Sequence, residues 1–182
     1  MKYFIGIALP KETTEQITYF QKSFASNELP KILEPHITVK TKNGLTGDLV
    51  WLKKVKQIIE KYPDFEISFD SVDIFGDSVV IVRVHPSKKL TALHKSLFYT
   101  IKPNEQDFTK KYFENEKYEA HVTLGMTSWG MTKEELVIMK EKGMEELSPI
   151  PKFKATSIRI YQQMDQEEAY KKFLDVPLHG TQ

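Results

Sequence analysis

The chain has 182 residues, 40% of them hydrophobic and 28% charged, and its formal net charge is +1. That size and balance fit one compact globular unit with a substantial core, taken here as a single domain over 1–182. Near-neutral charge argues against duplex DNA as a partner, and the absence of cysteine excludes disulfides, thiolate chemistry and the usual zinc sets.

The apolar opening Met1–Pro10 is too short for a secretory leader with its cleavage region. No run approaches the length of a membrane span, so a cytoplasmic protein without membrane contact is expected; it is also expected to be a monomer. Tyr3–Leu9 reads as a buried strand stopped by Pro10, with a small Phe4/Gly6/Ala8 face that another group could approach closely. Lys11–Phe24 has helical spacing of Ile17, Phe20 and Phe24. A strand follows over Glu34–Thr41, then a Gly44–Asp48 turn in which Asp48 caps a helix bearing Leu49, Leu52, Val55 and Ile59.

Phe65–Phe75 and Ser78–Val84 form a hairpin around Gly76-Asp77. Pro86-Ser87 opens a helix with Leu90, Leu93, Leu97 and Ile101 inside. The polar stretch Lys102–Lys117 carries Phe108, Tyr112 and Phe113, residues that either pin a loop or stack a nucleobase. A second strand spans Glu119–Leu124. Thr132-x-x-Glu135 is a capping box for a helix ending near Gly143, and Lys152–Tyr161 and Tyr170–Leu178 close the chain as strands. This order lacks a glycine-rich phosphate loop and regular βαβ alternation. It predicts an α+β fold of two antiparallel sheets with helices outside.

Two of those strands repeat one pattern: Glu34-Pro35-His36-Ile37-Thr38-Val39 and Glu119-Ala120-His121-Val122-Thr123-Leu124. In an extended chain, alternate residues share a face. Glu, His and Thr therefore line one side of each strand, with aliphatic residues on the other. A lone His-x-Thr is a weak signal; two copies that share the glutamate and both aliphatic positions are a strong one. Ordinary strands with polar outer faces are the bland alternative.

These motifs, the Phe-containing first strand ending in Leu-Pro, and the closing Ser157-Ile158-Arg159-Ile160-Tyr161 and Tyr170–Leu174 segments resemble the 2H phosphoesterases. That superfamily includes 2′-5′ RNA ligase-like proteins and cyclic nucleotide phosphodiesterases. The resemblance implies a two-lobed, pseudo-twofold fold with a central cleft where the motifs face each other. It implies metal-independent, cofactor-free phosphodiester chemistry on 2′,3′-cyclic phosphates, 2′-5′ linkages or related nucleotide and RNA ends. His36 and Thr38 match the first motif; His121 and Thr123 match the second. The chain departs from the pattern in having Gly125-Met126-Thr127-Ser128 where many members place a basic residue, and in its two motif glutamates.

The residue types suit that chemistry. Histidine, with an unperturbed pKa near 6.5, serves as base or acid, and one neutral and one protonated ring predict a bell-shaped profile near neutrality. Threonine hydroxyls can donate to non-bridging oxygens. Glu34 and Glu119 either orient the rings or sit at solvated strand starts. Arg159 shares a strand face with Ser157 and Tyr161, making Arg159 and Tyr161 candidate phosphate-binding residues, with a cross-strand ion pair as the competing role. Arg83 is the weaker candidate of the only two arginines, and Lys40, on the same strand face as His36 and Thr38, either supplies the missing positive charge or, as the favoured expectation, is solvated. His85, His94 and His179 receive no role. A non-catalytic nucleotide-binding cleft and a His/Glu metal site are the alternatives from other classes.

Overall fold

The computed structural model describes residues 1–101 and 114–180. Its elements are β1 (Lys2–Ala8), α1 (Lys11–Lys22), α2 (Leu29–Ile32), β2 (His36–Lys40), α3 (Leu52–Ile59), β3 (Phe65–Ile67), β4 (Phe69–Phe75), β5 (Val79–Val84), α4 (Lys88–Thr100), β6 (His121–Met126), α5 (Lys133–Glu146), β7 (Phe153–Ala155), β8 (Ser157–Gln163) and β9 (Lys171–Pro177). Seven strands form one antiparallel sheet in the order β4-β5-β6-β2-β1-β8-β9, and β3 and β7 form a second. The fold is thus α+β with two antiparallel sheets and flanking helices, as the element order predicts. The aromatic residues Phe108, Tyr112 and Phe113 lie outside the described residues.

One apolar row organises the large sheet. Val72 pairs with Val82, Val82 with Val122, Val122 with Ile37, and Ile37 with Ile7, so the row crosses five strands. Ile7, Ile37, Val82 and Val122 are fully or almost fully buried, each contributing about 1.5–3 kcal/mol. They join one core with Ile17 and Phe20 of α1, Leu90, Leu93 and Leu97 of α4, and Leu136 and Met139 of α5. The helix starts follow the expected chemistry. The Ser87 hydroxyl accepts from Leu90 N–H, and Thr132 and Glu135 complete a reciprocal capping box.

Several boundaries differ from expectation for local reasons. The strand expected over 65–75 divides at Ser68, whose carbonyl accepts from His85 N–H, and its first part pairs with β7 instead. Lys152–Tyr161 divides likewise at Thr156. The helix after the Gly44–Asp48 turn begins only at Leu52, because Leu49 takes a φ of 59°. Asp48 caps the turn itself, accepting from the Thr46 hydroxyl and Val50 N–H. Helix α5 runs past Gly143 to Glu146. A Cβ at Gly143 would lie 3.1 Å from Val72 Cγ1, so the glycine serves close helix–sheet packing rather than termination.

Lys40 is the main reversal. Its side chain is fully buried, with Nζ 2.8 Å from Glu114 Oε1 and donating to the Asn43 carbonyl at 2.8 Å. Beside it, buried His94 donates from Nδ1 to the Val39 carbonyl at 2.7 Å and accepts at Nε2 from Asn115 N–H at 2.8 Å. Tyr118 stacks on that ring at 3.9 Å and donates its hydroxyl to the Thr38 carbonyl at 2.9 Å. Residues 114–118 thereby tie the approach to β6 onto the backbone of β2. Lys40→Met, which leaves the Glu114 carboxylate buried and unpaired, should cost about 3–5 kcal/mol in urea unfolding. Lys40→Met/Glu114→Leu should recover much of that loss. A single variant as stable as the parent contradicts the buried pair.

Candidate active site

Strands β2 and β6 are neighbours, antiparallel and in register at Ile37–Val122. Counting outward from that pair sets His36 across from Thr123 and Thr38 across from His121. Ile37 and Val122 point into the core, so the two imidazoles and two hydroxyls point to the opposite face, where all four residues are partly exposed. The rings are near enough that charge on His121 disfavours charge on His36.

Both imidazoles are held in the same way. His36 Nδ1 lies 2.9 Å from the Glu34 carbonyl, and His121 Nδ1 lies 2.8 Å from the Glu119 carbonyl. A carbonyl oxygen only accepts, so each Nδ1 carries the proton and each neutral ring keeps Nε2 as a bare acceptor. His36 Nε2 is 3.1 Å from Thr38 Oγ1, close enough to accept its hydroxyl proton in a hydrogen bond. The glutamates therefore orient the rings, but through their backbones.

Their carboxylates face arginines. Glu34 accepts from Arg159 at 2.7 Å and from the Tyr161 hydroxyl at 2.9 Å, while Arg159 also forms a fork on Asp175 at 2.7 and 2.9 Å. Glu119 accepts from Arg83 at 2.7 Å, and Arg83 donates twice to Asp73 at 3.0 and 3.1 Å. Arg159 and Tyr161 thus lie beside the two histidines with Glu34 as their shared partner, and the cross-strand ion pair named as the competing role of Arg159 is present on Asp175. Arg83, the weaker candidate, holds the matching place at the second motif. Strand pairing foretells part of this, since Arg83 lies opposite His121 and Arg159 opposite both Gly6 and Asp175. The roles of Asp73 and Asp175 carry no motif and were not readable.

Aromatic residues flank each ring. Phe4 and Tyr161 stack at 4.4 Å and approach His36 at 4.9 and 5.4 Å, while Phe75 stacks on His121 at 5.7 Å. The small first-strand face has its reason here. A Cβ on Gly6 would lie 2.9 Å from the Ile37 carbonyl and 3.3 Å from both His36 Cδ2 and Tyr161 Cε2. Only glycine leaves the imidazole its position.

Burial dominates the electrostatics of both rings. It pushes His36 down to about 4, reinforced by His121, although the Glu34 carbonyl and carboxylate pull the other way. It also lowers His121, aided by Arg83 and opposed by Glu119. Both rings therefore take up a proton less readily than free imidazole. Burial, followed by Glu34, raises the Tyr161 hydroxyl, which stays protonated and donates.

His85 pairs with Asp70 at 3.1 Å on the surface, and His94 belongs to the buried tie described above. Among the described residues, no three His, Asp or Glu gather as a metal-ligand set. No described helix is long and apolar enough to cross a membrane. A cavity of about 220 Å³ adjoins the second motif, lined by Arg83, His85, Ser87, Tyr118 and Glu119 among others. A larger one of about 340 Å³, between Phe69–Val72 and Met144–Ile150, includes neither motif histidine.

A family profile described as the 2′-5′ RNA ligase superfamily matches residues 9–167. Among solved structures, E. coli LigT complexed with NADP+ aligns over 98% of this chain and 97% of its own, with 14% identity and a TM-score of 0.60. TT0787 of Thermus thermophilus aligns over 100% of both chains, with 11% identity and a TM-score of 0.62. Usb1 of Kluyveromyces marxianus aligns over 97% of both, with 12% identity and a TM-score of 0.51. These likenesses show a shared fold. No curated protein sequence gave a match.

The depressed His36 ties stability to pH. The unfolded chain takes up this proton near pH 6.5, the folded chain only near 4, so its contribution is fully present above 6.5 and is lost as pH falls toward 4. The gap corresponds to roughly 3 kcal/mol. His36→Gln should remove about that much of the stability change between pH 7 and pH 4, measured by urea unfolding at both values. An unchanged curve contradicts a ring held neutral by its surroundings.

Proposed function

The chain belongs to the 2′-5′ RNA ligase superfamily, and from that membership we propose that it is a metal-independent phosphodiesterase acting on a nucleotide or RNA end. One observation carries the proposal: two imidazoles, each with a bare Nε2 and each set across from a threonine hydroxyl, share one face at the β2–β6 seam. Two acceptors of that kind can bracket one phosphorus. E. coli LigT has been crystallised with phosphate and with 3′-AMP, which favours a nucleotide-end ligand for the related cleft.

In the proposed reaction on a 2′,3′-cyclic phosphate, His36 takes a proton from water as the water oxygen attacks phosphorus. His121 gives a proton to the departing ribose oxygen as its bond to phosphorus breaks, leaving a phosphomonoester. The direction of the assignment rests on charge. A ring with a pKa of about 4 is neutral at physiological pH and is ready to act as a base. The phosphate's own negative charge favours the protonated form of His121 once substrate is bound. With substrate bound, the Thr38 hydroxyl turns from His36 Nε2 to the phosphate, and Thr38 and Thr123 donate to the non-bridging oxygens, which gather charge as the new bond forms.

The decisive trial is a panel of cyclic phosphates and 2′-5′ linked oligonucleotides incubated in excess chelator, with the products identified. Turnover is expected to persist there, and His36→Ala and His121→Ala should each lower it about 10²–10⁴-fold with the fold intact. Thr38→Ala and Thr123→Ala should cost less. Stoichiometric binding without turnover would favour the non-catalytic cleft, and activity restored only by divalent metal would favour a His/Glu metal site.

The pH profile provides a separate check. Values of kcat/KM report the free protein, so the rate should rise as His36 loses its proton near pH 4 and fall as His121 loses its own below 6.5. An optimum above about pH 7 contradicts the assignment.

A further inference from the structure

The two motifs carry matching supports. At the second, Asp73 on β4 fixes Arg83 on β5, Arg83 fixes the Glu119 carboxylate, and the Glu119 carbonyl fixes His121. At the first, Asp175 on β9 fixes Arg159 on β8, Arg159 reaches across β1 to the Glu34 carboxylate, and the Glu34 carbonyl fixes His36. Each arginine also lies 6.0 Å from an aromatic ring that packs on the same imidazole, Phe75 at the second motif and Tyr161 at the first. These are the only arginines in the chain, among 26 basic residues.

The supports are needed because the key carbonyls are not held by strand ladders. Glu34 and Glu119 each stand two residues before the strand that carries their histidine begins. Without a side-chain anchor, each carbonyl could rotate away from its Nδ1. The ring would then be free to exchange tautomers and swing.

We infer that Arg83 and Arg159 are positioning residues, each acting through its glutamate to lock the tautomer and aim of one histidine. This assigns the guanidiniums a role other than gripping phosphate. Three N–H groups of each are already engaged by carboxylates, and in each cluster the aspartate also meets a lysine, Lys140 on Asp73 and Lys172 on Asp175. The inference rests on the acid–base reading for its catalytic consequence, but its structural content does not.

The test uses the full chain labelled with 15N-histidine, read by two-bond proton–nitrogen NMR at about pH 7, where neutral imidazole is the expected form. In the parent, both rings should show Nδ1 protonated and Nε2 bare. Arg159→Lys, which keeps charge but loses the planar fork, should give a mixed tautomer at His36 and leave His121 unchanged. Arg83→Lys should do the reverse. On any substrate the parent turns over, each variant should lose about 10–100-fold in kcat with little change in KM, as losing outer partners of metal-bound imidazoles costs. Should a lysine variant fail to fold, Glu34→Gln and Glu119→Gln keep the backbone carbonyl and weaken only the ion pair. They should loosen the same single ring to a smaller degree.

Both rings keeping their tautomers in every variant would overturn the inference. So would a rise in KM at constant kcat, which marks a guanidinium bound to substrate. A parent without turnover on the whole panel would count against the phosphodiesterase reading alone, because the ring-specific tautomer result is scored without substrate.

Discussion

The pairing of Ile37 with Val122 is the constraint on which the site depends. Both side chains are fully buried in a row that runs from Val72 to Ile7, so neither strand can slip by one residue without moving its apolar set into solvent. The same register that protects the core faces both His-Thr pairs outward. Core burial, worth several kcal/mol over the row, therefore fixes the geometry of the polar face at no separate cost in sequence. The seam itself is short, and Tyr118 on the Thr38 carbonyl, with Lys40 and Glu114 behind it, adds a second tie between the motifs.

The polar face is close to charge balance without its histidines. Arg83 with Lys140 offsets Asp73 and Glu119, and Arg159 with Lys172 offsets Asp175 and Glu34. Burial keeps both imidazoles reluctant to take up protons, so the neighbourhood holds little net charge. In the proposed reaction an incoming phosphate would supply the charge that favours an imidazolium, which would link protonation to ligand binding through the same electrostatics.

Much of the fold was legible because it rests on local rules. The Ser87 cap, the Thr132/Glu135 box and the alternation in both motif strands are written in adjacent residues. Gly143 looked like a stop signal and is a packing contact with Val72, which only the tertiary structure can supply. Phe65–Phe75 looked like one strand because nothing in its composition marks the change of sheet at Ser68. The candidate site is legible in its histidines and threonines, which repeat, and in the small face at Gly6. It was not legible in the partners of the glutamates. Asp73 and Asp175 come from outer strands far along the chain, and an acidic residue on a strand edge carries no label. Lys40 misled for a related reason, since its burial depends on Glu114, 74 residues away.

In the proposed reaction the two imidazoles, and not the two guanidiniums, meet the phosphorus. A crystal structure of the full chain with a bound nucleoside phosphate or vanadate addresses it directly. Phosphorus or vanadium should lie between His36 Nε2 and His121 Nε2, each within about 2.6–3.2 Å of an oxygen on opposite sides. Thr38 and Thr123 should contact the remaining oxygens, with both arginines still on their carboxylates. A phosphate gripped by Arg83 or Arg159, with either imidazole out of reach, would contradict it.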